Sequence, residues 1–168
     1  MANFHAFERL FYMESSFLNL ALAYLEVGKV AATANTPMKD VGDYQNAVAY
    51  QLFHAIELFY KHMIKQARGT VDHTHDLKKL EAQYLSLYRG DSYFLEHPFD
   101  FSLFESCMLN PDEQTLTDAH LEVFKSKYID QHLKYPADFR TGGYSFNLDG
   151  SYFESIKSRI MEISGVSC

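Results

Sequence analysis

Tryptophan is absent from the chain, and only two cysteines occur among its 168 residues, Cys107 and Cys168. Two sulfurs cannot build the disulfide framework of a small secreted domain, so a reducing cytoplasm is the expected setting. Cys107 has no histidine at a motif spacing and reads as a small buried hydrophobe rather than a nucleophile. Long apolar runs are missing too. Charges interrupt every stretch well before the roughly 18 residues that a membrane span needs. Residues Met1 to Leu10 include His5, Glu8 and Arg9 and lack the basic-then-apolar layout of a secretion signal. Positive charge is scarce, with a net charge of −7. Broad binding to a phosphate backbone rests on clustered Lys and Arg, which such a chain does not supply overall. Lys61, Lys65, Arg68, Lys78 and Lys79 form the one local basic group, and a solvated face on ordinary helices explains them as readily. Chemistry-bearing glycine motifs are missing as well. Gly142-Gly143 lacks the Lys and Ser/Thr of a phosphate-binding loop, and no Gly-x-Ser-x-Gly elbow occurs.

What is present is apolar volume: 47% hydrophobic residues, with 14 Phe and 12 Tyr. That suffices for one self-supporting core, and no repeat or linker divides the chain, so residues 1–168 read as a single helical domain. Phe4, Phe7, Phe11, Leu18, Ala21, Leu22 and Leu25 step by threes and fours, predicting a first helix over 4–33 that Thr36-Pro37 ends. The second, over 42–66, carries two adjacent stripes. Val48, Leu52, Ala55, Phe59 and His62 make one, and Ala49, Phe53, Ile56, Tyr60 and Met63 the other. Thr74 is the expected N-cap of a third helix over 75–89. Residues 91–110 are aromatic without a period and read as an irregular insertion onto the bundle or toward a partner subunit. Asn110-Pro111-Asp112-Glu113 starts a fourth helix that Tyr135-Pro136 stops. A loop or small hairpin over 137–150 precedes a last helix over 151–164.

Three constellations carry candidate chemistry. His54, Glu57 and Lys61 share one face of the second helix, where Glu can orient a proton-carrying His. The plainer reading is a polar seam in which Glu57 pairs with Lys61 at i,i+4. Asp72, His73, His75 and Asp76 crowd five positions, but a loop-to-helix junction rarely converges such groups on a metal, and no metal is expected. Any pocket near the second helix would be lined by His54, Glu57 and Lys61 together with the His75-Asp76 turn.

Three segments, taken in order, resemble the HEPN domain family, helical domains often encoded beside minimal nucleotidyltransferases. They are Ala49-Tyr50-Gln51-Leu52-Phe53-His54-Ala55-Ile56-Glu57-Leu58-Phe59-Tyr60-Lys61, then Thr74-His75-Asp76-Leu77 with Leu80, then Tyr135-Pro136-Ala137-Asp138, preceded by the basic Lys134. The resemblance covers roughly residues 4–164. It implies an antiparallel bundle of four to five helices, frequently a homodimer, with Glu57 and Lys61 as part of a structural signature. The implied role is binding of a nucleotide, RNA or a partner protein, a minimal nucleotidyltransferase among them, in a stress or toxin–antitoxin setting, without a cofactor. Ribonuclease members carry Arg, four to six residues, then His, near the later helices. Arg68 and His73 meet that count in the loop after the second helix, so a ribonuclease using them is the alternative. A purely structural interaction bundle is the third. The homodimer is expected at micromolar concentration, with the stretch from Tyr93 to Phe104 at or beside its interface.

Overall fold

The computed structural model describes residues 16–99, 133–134 and 146–166. Four α-helices follow one another there: α1 (Phe17–Thr33), α2 (Gly42–Arg68), α3 (Leu77–Leu87) and α4 (Gly150–Ser164). A single 3-10 turn, Asp91–Tyr93, lies between α3 and α4, and no strand occurs among the described residues. The chain is all-α, a helical bundle, as its periodicity requires. The expected fourth helix reaches the described residues only at Leu133 and Lys134, which are helical. The rest of it, the 137–145 loop and Tyr135-Pro136 lie outside them.

The first helix does not run through from residue 4. It starts at Phe17, because Ser16 adopts an extended conformation and its side chain accepts the Asn19 N–H. A serine in that role satisfies one of the amides a helix start leaves open. Leu18, Ala21, Leu25, Gly28 and Ala32 then repeat at three- and four-residue steps and are all buried. Gly28 is required by packing. A Cβ built there would lie 2.1 Å from the Phe153 ring, so α4 reaches α1 closely only where no side chain intervenes.

Helix α2 is the centre. Both predicted stripes are buried except for His62, which is half-buried. Six consecutive residues, Ile56 to Lys61, are all buried, which on a 100°-per-residue helix means neighbours on every side. Gly69 ends it in the left-handed region (φ 79°), where its N–H donates to Lys65 O at 2.7 Å. Helix α3 is shorter than its pattern suggests. Asp76, not Thr74, is its N-cap: Asp76 accepts the Lys79 N–H, while Thr74 Oγ1 accepts the Asp76 N–H one turn earlier in the approach.

Beyond α3 the chain forms a strap across the bundle. Tyr84 donates its hydroxyl proton to Tyr93 O at 2.5 Å, and Arg159 of α4 donates to the carbonyls of Asp91, Ser92 and Phe94 at 3.0, 2.8 and 3.1 Å. Leu95 and Phe99 are buried, the latter edge-on to Phe53 and tilted against Phe146. Over its described residues the aromatic stretch therefore packs onto the bundle, the first of its two expected dispositions. Phe99 is part of the core, because Phe53 and Phe146 leave it a ring-sized site, whereas Phe94 stays 54% exposed. Phe101, Leu103 and Phe104 lie outside the described residues.

Candidate functional site

His54, Glu57 and Lys61 project from one side of α2 because residues three and four apart stack along a helix. His75 joins them from the turn that leads into α3. Glu57 is 1% exposed and forms the hub. Its Oε1 accepts a hydrogen bond from Lys61 Nζ at 2.6 Å and lies 3.1 Å from His75 Nδ1. Its Oε2 lies 3.5 Å from His54 Nδ1, too far for a full hydrogen bond, and has no other partner. Burial by itself would raise the Glu57 pKa. Contacts with His54, Lys61 and His75 outweigh it and bring the group down to about 2. Glu57 is therefore a fixed buried anion at any ordinary pH.

The Glu57–Lys61 pair forms as the i,i+4 spacing predicts, and it is buried. Lys61 is itself only 9% exposed and turns inward to the carboxylate, so it also leaves the basic group proposed from sequence. Two other members of that group are engaged separately. Lys65 lies over the Phe17 ring and Lys79 pairs with Asp72 at 3.3 Å.

Rings and a further cation border the hub. Tyr50 stacks on His54 with centroids 5.7 Å apart, and Tyr24 of α1 meets the same imidazole edge-on at 4.5 Å. Lys134 Nζ sits 5.1 Å above the Tyr50 ring. The sequence reading missed these three. Tyr50 stands one helical turn before His54 and could have been found by spacing. Tyr24 and Lys134 come from other elements and carry no local signal.

The remaining candidates do not join the hub. Asp76 spends its carboxylate on the α3 amide of Lys79, and Asp72 is engaged by Gln83 and Lys79. The four residues at 72–76 thus diverge, and among the described residues no three His, Cys, Asp or Glu side chains are placed to hold a metal ion. Arg68 and His73 are both exposed, and no hydrogen bond or ion pair joins them. A second, partly buried cluster had no precedent in the sequence reading. Tyr60 donates to Glu81 Oε1 at 3.3 Å, and His97 Nε2 lies 3.3 Å from the same oxygen. His97 Nδ1 accepts the Phe99 N–H at 3.2 Å, which assigns the ring proton to Nε2. No family model, curated protein or solved structure matches the chain.

Proposed function

We propose that the chain is a HEPN-like helical protein that binds a nucleotide or RNA at the face formed by His54, Glu57, Lys61 and His75. The observation that carries this reading is the buried Glu57 carboxylate, which holds one lysine and faces two histidines beside the Tyr50 ring. Such a carboxylate costs several kcal/mol to desolvate, and a hydrophobic residue of similar size is often no less stable there. Positioned cations and an aromatic platform are the elements that recognise phosphate and base. The ordered segments that resemble the HEPN family support the same reading, including its expected association with a minimal nucleotidyltransferase in a stress or toxin–antitoxin pair.

Titration of labelled ATP and a short oligoribonucleotide, followed by fluorescence anisotropy, tests it. Binding is expected at micromolar ligand and at least about tenfold weaker in His75→Ala. His75 is exposed enough for that change to leave the fold intact. No binding of either ligand would overturn the reading in favour of a structural interaction bundle. RNA cleavage lost in His73→Ala would favour the Arg68–His73 nuclease instead. The same samples, weighed by light scattering at tens of micromolar, test the proposed homodimer. A mass near the 19.4 kDa monomer would reject it.

A further inference from the structure

We propose that this site takes up protons together with an oxyanion, so that phosphate-bearing ligands bind it in a proton-coupled manner. The inference rests on the binding reading above and adds what controls it. A carboxylate can only accept hydrogen bonds. His75 Nδ1, at 3.1 Å from Glu57 Oε1, must therefore carry a proton to make that contact. In the neutral ring the second nitrogen, Nε2, is then a bare lone pair. A phosphate oxygen approaching Nε2 meets a lone pair unless the ring gains a second proton. Contact with Glu57 on one side and an oxyanion on the other thus demands imidazolium.

His54 supplies an independent observation. Glu57 Oε2 is a buried anionic oxygen without a hydrogen-bond partner, and His54 Nδ1 stands 3.5 Å from it. A proton on that nitrogen satisfies the orphaned oxygen, and the neutral ring already supplies it in its Nδ1–H tautomer. In that tautomer Nε2 of His54 is a second lone pair, which must gain a proton before it can face an oxyanion. Among the described residues the charges facing these rings are few. Glu57 and Lys61 face His75 from α2, while Asp76 directs its carboxylate to the Lys79 amide. Glu57 and Tyr50 face His54 from α2 and Tyr24 from α1, with Lys134 above Tyr50. With both histidines neutral, Glu57 and Lys61 cancel. Two added protons leave an excess of positive charge where the anion sits.

Calorimetric titration with ADP at pH 7.5, repeated in buffers of different ionisation enthalpy, reads the protons exchanged on binding. At that pH a terminal phosphate, which titrates near about pH 6, is almost fully ionised and contributes little. Uptake of one to two protons is expected, with affinity increasing by up to about tenfold per unit fall in pH for each proton coupled. In His75→Gln, whose amide can still donate to Glu57 but cannot ionise, uptake should fall by about one proton. Should that variant not fold, ring 15N spectra of the wild-type histidines with and without ADP report the same protonation directly. Binding of ADP without proton uptake and without a change at either ring overturns the inference while leaving the binding reading intact. Absence of ADP binding from pH 5.5 to 8 overturns the inference, and the binding reading falls with it only if the oligoribonucleotide does not bind either.

Discussion

Replacing Phe59 by alanine should lower the unfolding free energy by about 3–5 kcal/mol, the usual range for emptying a buried aromatic site. Phe59 is fully buried at the middle of α2 and packs against Tyr60 and, edge-on, against Tyr84 of α3. Because neighbours enclose α2 on all sides here, no single helix can close over the void, which places the cost toward the upper end. Denaturant unfolding monitored by circular dichroism provides the measurement. Phe94→Ala serves as contrast, since that ring is 54% exposed and its loss should cost little. A Phe59→Ala midpoint close to wild type would mean that α2 is not the centre of the core.

Glu57→Gln should be about as damaging, near 3–5 kcal/mol, for a different reason. The amide keeps the shape but removes the charge, and Lys61, 9% exposed, then remains buried without its counter-ion. The double variant Glu57→Gln, Lys61→Met removes both charges and should recover a large part of the loss. A double-mutant cycle with no coupling between the two positions would refute the pairing. Acid provides a second view of the same group. Glu57 sits at about 2 in the fold against an ordinary value of 4.5, so the unfolded chain binds its proton first as pH falls. The stabilisation is complete above pH 4.5 and is lost progressively as pH falls from there toward about 2. Wild type should therefore lose on the order of 3 kcal/mol more across that interval than Glu57→Gln does. Parallel acid profiles for the two proteins would contradict a depressed Glu57.

Helix α2 was legible because two complete stripes of apolar residues leave no other conformation that buries them. Helix ends were less so. Thr74 and Asp76 are both good caps two positions apart, and only the path of the loop decides between them. Ser16 interrupts a series of Phe and Leu that keeps its period on either side, so the spacing hides the break. The site was half visible. Spacing places His54, Glu57 and Lys61 together, but an i,i+4 Glu–Lys pair looks identical in water and in a core. Its burial depends on what α1 and the α3 approach lay over it. His75 was a candidate through its turn, whereas Tyr24 and Lys134 arrive by tertiary packing from positions distant in sequence.

Arg159 ties two parts of the chain that are far apart in sequence. One guanidinium on α4 holds three carbonyls of the strap, those of Asp91, Ser92 and Phe94, while Leu95 and Phe99 sink into the core. A segment with so little regular structure would ordinarily open on its own, many times for each opening of a helix. Here it can peel away only by surrendering the charged bracket as well. Strap and last helix should accordingly exchange their amide hydrogens as one cooperative unit. In Arg159→Ala, hydrogen exchange should separate them, with faster exchange at the Phe94 amide, which donates to Asp91 O, and little change along α4. Unchanged exchange at Phe94 in that variant would show that the strap holds itself.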